Sequence, residues 1–68
     1  MDEMLGRQGR VTGLVGPGLV GEVILAIRGG AEAFYAYPVQ PDEQIAVGTR
    51  IMVVEYLPPR TVYVSPLG

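Results

Sequence analysis

The sequence predicts an all-β fold, a small five-stranded barrel with little or no helix. Three observations carry that reading. Ten glycines and six prolines cut the 68 residues into short segments, and none of these repeats with the spacing of a long amphipathic helix. The segments are rich in valine, isoleucine and tyrosine, which suit a pleated, half-buried surface. Apolar residues make up 49% of the chain and charged ones only 18%, so this is a folding sequence. A chain this short, without a disulfide, must use its apolar residues efficiently, as a closed, highly curved barrel does.

Strands are expected over residues 6–15 (interrupted by Gly9 and Gly13), 20–27, 31–37, 50–56 and 60–65. The second and third form the clearest hairpin, because Gly29-Gly30 supplies the two positive-φ positions of a type I′ turn. On that turn Arg28 faces Ala31, and pairing runs from Ile27–Glu32 through Leu25–Phe34 to Glu22–Tyr37. Opposed residues share a face. Val23, Leu25, Ile27, Phe34 and Ala36 therefore form the core face, and Glu22, Ile24, Ala26, Arg28, Tyr35 and Tyr37 the outer one. Glu32 falls on the core side at the hairpin tip, where it reaches water at the barrel rim or pairs with an arginine.

Residues 38–46 form a loop carrying Asp42 and Glu43, with a helical turn expected from Pro41. The doubled Val53-Val54 breaks the alternation of the fourth strand and predicts a β-bulge. Pro58-Pro59 makes the next turn. The fifth strand alternates well, with Val62 and Val64 inward and Thr61, Tyr63 and Ser65 outward. Five strands of this kind fit an OB-type barrel best, with an SH3-like barrel as the alternative. One domain spans residues 1–68, with an ordered core over about 6–66.

Composition removes most chemistry. Lysine, histidine, cysteine and tryptophan are absent. The chain cannot build a Ser-His-Asp triad, a Ser-Lys dyad, a Schiff base, a thiolate nucleophile or a His- or Cys-ligated zinc. Of the seven acids, only Asp2-Glu3 and Asp42-Glu43 are neighbours, and both pairs fall in tail or loop. The acids read as solvated charge, not as a cation site or an acid–base pair. No catalytic residue, metal or cofactor is expected. Gly16-Pro17-Gly18-Leu19-Val20-Gly21 matches a dinucleotide fingerprint letter for letter, but β-type sequence follows where a helix should open. It reads as a mobile or tightly turning loop.

Phe34, Tyr35 and Tyr37 resemble the stacking platform of single-strand binders. Five arginines against seven acids leave a net charge of −2, which works against any polyanion. Nucleic acid is therefore not the expected partner. Tyr35 and Tyr37, with Arg28 and Ile24 on the same face, better suit a protein interface, where tyrosine and arginine are enriched. Arg60 and Tyr63 join them as candidates, and ordinary cross-strand packing is the competing role for Tyr35 and Tyr37. The longest strongly apolar run, residues 23–27, falls far short of the roughly 20 residues of a spanning helix. The acidic N-terminus lacks the basic region of a signal peptide, so the chain reads as soluble.

Several stretches together resemble the C-terminal soluble domain of NfeD-like membrane proteins. They are Leu5-Gly6-Arg7-Gln8-Gly9, Gly21-Glu22-Val23, the Gly29-Gly30 turn followed by Phe34-Tyr35-Ala36, and Val62-Tyr63-Val64-Ser65-Pro66. The most telling is Ile45-Ala46-Val47-Gly48-Thr49-Arg50-Ile51-Met52-Val53-Val54-Glu55. The inward set implied by the resemblance, Val23, Leu25, Ile51, Val53, Val62 and Val64, overlaps the hairpin's core face. The chain departs from the family pattern in placing Leu19 where a proline is usual, in a longer segment between strands two and three, and in using Pro58-Pro59 as a turn.

The resemblance implies a five-stranded OB-fold barrel that follows transmembrane helices in a parent protein, so that these residues are an excised domain or a free-standing short relative. It also implies a partner, a stomatin- or flotillin-like membrane scaffold or another membrane-assembly component, with no membrane insertion by this segment. The side of the membrane is not read from the sequence, and cytoplasmic is taken as the working expectation. The serine protease domain of long family members has no counterpart, since Ser65 is the only serine and there is no lysine. A single-stranded nucleic-acid-binding OB domain and a purely structural barrel are the alternative functions. Edge strands of a partly open barrel would allow weak self-association.

Overall fold

The computed structural model describes residues 3–68, so Asp2, half of one acidic pair, lies outside the described residues. Its strands are β1 (Gln8–Gly13), β2 (Gly21–Ile27), β3 (Gly30–Pro38), β4 (Arg50–Leu57) and β5 (Thr61–Pro66). They close into a barrel in the order β1-β2-β3-β5-β4. All neighbours run antiparallel except β3 and β5, which are parallel. This is the OB-type barrel and not the SH3-like alternative, and no helix occurs among the described residues. Every strand has a neighbour on both sides, so the open edges on which edge-to-edge self-association would rest are largely absent.

Closure runs through Gly9, which is the Cα partner of Leu25 on β2 and of Ile51 on β4. A Cβ at Gly9 would run into the carbonyl oxygen of Ile24 and Cδ2 of Leu25. Only glycine lets the backbones approach that closely. β1 is shorter than the expected strand over residues 6–15. Gly6 turns the chain in with φ at 84°, the register slips between Val11 and Gly13, and Val15 rejoins only through an isolated bridge to Ile45.

Beyond Val15, the Leu19 N–H donates to the Gly16 carbonyl at 3.2 Å, and Gly18 has φ at 72°. Pro17 followed by a positive-φ glycine is the pattern of a type II turn. The glycines that mimic a dinucleotide fingerprint thus serve a tight turn, and a strand, not a helix, follows them. Gly21 has its own reason to be glycine: a Cβ there would lie 2.5 Å from Val15 Cγ2 and 2.9 Å from the Leu14 carbonyl oxygen.

The hairpin differs from expectation in register. Its turn is Arg28-Gly29, with φ at 49° and 80°, and the pairing is Leu25↔Glu32, Val23↔Phe34 and Glu22↔Tyr35. The turn places Arg28 in the left-handed region with a single glycine after it, whereas residue preference alone favours the neighbouring Gly29-Gly30 pair. The slip is two residues, and strand faces repeat every two. Each side chain consequently keeps the face assigned to it.

The other irregularities follow their residues. β4 and β5 shift register between Val53 and Glu55, placing the bulge at the doubled valine. A β-turn, with the Glu43 N–H donating to Gln40 O at 2.9 Å, stands where a helical turn was expected from Pro41. The chain must be extended again by Ile45 to pair with Val15, and one turn without continuation is unfavourable as helix. Pro58 and Pro59, joined by a cis peptide, lie in the β4–β5 turn.

The core contains Val11, Val15, Val23, Leu25, Phe34, Ala36, Ile45, Ile51, Val53, Val62 and Val64, and no described polar side chain is buried with them. Every member of the inward set taken from the family pattern is among them. Val15 and Ile45, joined by backbone bonds of 2.7 and 3.2 Å, bring two connecting segments over one end of the barrel. Gly9→Ala is expected to lower stability by about 1–3 kcal/mol through overpacking, read as a fall in denaturation midpoint. Gly30→Ala, whose Cβ would meet only the Ile27 oxygen at 3.7 Å, should leave that midpoint in place. Arg28→Asn should raise stability by about 0.5–1 kcal/mol, because asparagine pays only part of the roughly 1–2 kcal/mol that the left-handed conformation costs arginine.

Candidate functional site

The outer surface of β3 and β5 is set by alternation. With Phe34, Ala36, Val62 and Val64 buried inward, Tyr35, Tyr37 and Tyr63 turn outward. Tyr37 and Tyr63 are opposed across the parallel pair. Their rings lie 5.6 Å apart between centroids, tilted by 35°, within the range of favourable aromatic pairs. Tyr35 is two residues along β3 and 57% exposed, opposite Glu22 on β2 and Thr61 on β5. The three tyrosines share one outer face, with the half-buried Tyr37–Tyr63 pair two residues along β3 from the exposed Tyr35.

The remaining candidates are less tightly grouped. Ile24 lies on the same outer side but opposes Ala33, one pleat away from Tyr35. Arg28 occupies the hairpin tip, about 20 Å along β3 from Tyr37, and its Nη2 lies 3.6 Å from Glu3 Oε1 with both side chains largely exposed. Arg60 folds back over the barrel rim. Its guanidinium carbon sits 5.3 Å from the Phe34 ring centroid, and Nη1 donates to Glu32 Oε1 at 3.0 Å and to Ala33 O at 3.2 Å. Glu32 thus takes the arginine that its place at the hairpin tip called for. Phe34 is 5% exposed and packs edge-to-face on Tyr56 at 6.5 Å, so it is a core anchor unavailable as a stacking surface.

Arg10 and Arg50, two exposed residues to which the sequence gave no role, are opposed across β1 and β4. Alternation about the inward Val11 and Ile51 could have placed each on the outer face. Nothing local could have paired them, since they lie on strands that are distant in sequence. No group of three or more acids that could hold a metal ion occurs among the described residues.

The family model described as the NfeD C-terminal domain matches residues 8–65. The soluble domain of a membrane protein implicated in regulation of membrane protease activity, from Corynebacterium glutamicum, has the same fold. It superposes with a TM-score of 0.79 at 23% identity, covering 96% of this chain and 94% of that one. The soluble domain of the NfeD protein YuaF from Bacillus subtilis superposes with a TM-score of 0.80 at 31% identity, covering 96% of this chain and 75% of that one. Comparison with curated proteins gives no match.

The Arg60 contacts make a separable prediction. The Arg60–Glu32 pair is about half exposed on each side, so a double-mutant cycle with Arg60→Ala and Glu32→Gln should give a coupling below about 1 kcal/mol. Arg60→Ala alone should cost about 1 kcal/mol, chiefly through lost packing on the Phe34 ring.

Proposed function

The chain belongs to the NfeD C-terminal domain family, and we propose that its barrel is a non-catalytic docking module which a membrane-anchored parent presents to a partner protein. The partner class is a stomatin- or flotillin-like scaffold, or another component of a membrane assembly, met on the cytoplasmic side. The observation that carries this reading is the tyrosine patch: Tyr35 exposed beside the Tyr37–Tyr63 pair on a rigid, fully paired sheet. Tyrosine supplies large contact area with few rotamers to freeze, and it anchors many interfaces.

Other features support the same reading. The residue inventory lacks histidine, lysine and cysteine, and with them the Ser-His, Ser-Lys and Cys-His nucleophile–base pairs. No helix of the described residues is long and apolar enough to cross a membrane, and the similar Bacillus subtilis domain is the soluble domain of an NfeD protein. The related Corynebacterium protein is described as implicated in regulation of membrane protease activity, a role suited to a module that acts on other proteins. A nucleic-acid role loses one of its three rings, because Phe34 faces the core.

The test is retention of partners from detergent-solubilised membranes of the source organism, with this domain as bait. A stomatin- or flotillin-like protein should be retained by the wild-type chain. It should be lost with Tyr35→Ala/Tyr37→Ala, while circular dichroism shows the fold unchanged. Retention that survives both substitutions would remove the face from the account, and no specific retention would favour a purely structural barrel.

A further inference from the structure

A second groove crosses the outer surface of β1, β2 and the start of β3. Ile24, Ala26 and Ala31 make its apolar floor, and Arg10 and Arg50 stand along one side. These two arginines are directly opposed on β1 and β4, an arrangement in which like charges repel. Neither has an acidic partner among the described residues. Arg50 donates from Nη2 to the neutral side-chain oxygen of Gln8 at 3.1 Å, and Arg10 makes no side-chain hydrogen bond or ion pair there.

Of the other arginines, Arg28 sits against Glu3 and Arg60 against Glu32, while the half-buried Arg7 donates to the Ala26 carbonyl at 2.7 Å and keeps its Nε buried without a partner. Glu22, the nearest acid along β2's outer face, accepts from the Thr12 hydroxyl at 2.7 Å instead of meeting Arg10. A chain with seven acids and five arginines thus leaves two opposed guanidinium groups uncompensated, beside an apolar floor.

The geometry points to a binding groove for an extended peptide that carries acidic residues next to aliphatic ones. Each guanidinium can hold a carboxylate through two parallel hydrogen bonds. Ile24 opposes Arg10 across β1 and β2, with their backbones about 5 Å apart, one strand spacing, so an aliphatic side chain of the peptide can lie on Ile24 while a neighbouring carboxylate meets the guanidinium. An oligonucleotide suits the groove less well. No aromatic ring lines it for base stacking, and two cations neutralise few phosphates. This groove is separate from the tyrosine patch, and the inference does not rest on that patch being a docking face.

Fluorescence polarisation of a labelled nonapeptide, Ser-Glu-Ser-Glu-Ser-Leu-Ser-Leu-Ser, tests it against a counterpart with Gln in place of Glu and a twelve-nucleotide oligothymidine. The acidic peptide should bind saturably, with Kd below about 1 mM, and at least about tenfold more tightly than its neutral counterpart. Arg10→Gln/Arg50→Gln should abolish that preference while the thermal midpoint holds or rises, since a repulsion has been removed. Tyr35→Ala/Tyr37→Ala should bind the peptide as the wild type does. Absence of saturable binding, equal binding of the two peptides, or binding that survives the arginine substitutions would overturn the inference. Tighter binding of oligothymidine through the same arginines would overturn it in favour of nucleic acid.

Discussion

The barrel depends on one crossing, where β1 passes between β2 and β4 at Gly9. Each of the five strands is short, and two-stranded ribbons of this length are marginal alone. Closure turns them into a single structure with one shared core. At Gly9 the backbone lies against the Ile24 carbonyl and the Leu25 side chain, and the flanking partners Leu25 and Ile51 are both fully buried. A side chain at this position would push β1 away from β2 and loosen its contact with β4. Gly21 plays a related part at the other end, where its bare α-carbon lets Val15 approach the start of β2.

Closure also decides where function can reside. Valine, leucine, isoleucine, phenylalanine and alanine side chains fill the interior, with no described polar side chain buried among them. What distinguishes this chain as a partner is therefore displayed on the outside of the sheet. Two surfaces carry such features: aromatic rings on β3 and β5, and unneutralised arginines beside an aliphatic floor on β1, β2 and β4. Both sit on strands paired on either side, so their side chains project from a stiff frame and little backbone entropy is lost when a partner binds. The family's place in membrane proteins makes this arrangement intelligible, since a tethered module benefits from raised effective concentration and can work with modest contacts.

Much of this was legible in the sequence because strand physics is local. Alternation placed Val23, Leu25, Val62 and Val64 inside and Tyr35, Tyr37 and Tyr63 outside, and the doubled valine announced the bulge at Val54. The hairpin register was misread by two residues, and the faces survived because the error matched the strand period. Long-range pairings were not legible. The Val15–Ile45 bridge, the parallel β3–β5 seam and the Arg10–Arg50 opposition join residues whose spacing carries no periodic signal. Hence the tyrosine patch was found as parts and assembled only by the barrel. Arg28 lies at the far hairpin tip, Ile24 lies one pleat off Tyr35, Arg60 turns back onto Phe34, and the Arg10–Arg50 pair went unassigned.

The most direct measurement of the account's central claim, that the outer β3–β5 surface is the docking face, is photo-crosslinking in intact cells. The membrane-anchored parent would carry p-benzoylphenylalanine in place of Tyr35, and in a second version in place of Val47, which is also exposed but lies in the loop before β4, beside β1. The account predicts a discrete crosslinked product containing a membrane-assembly protein from position 35 and none from position 47. Equal products from both positions, or none from position 35, would contradict it.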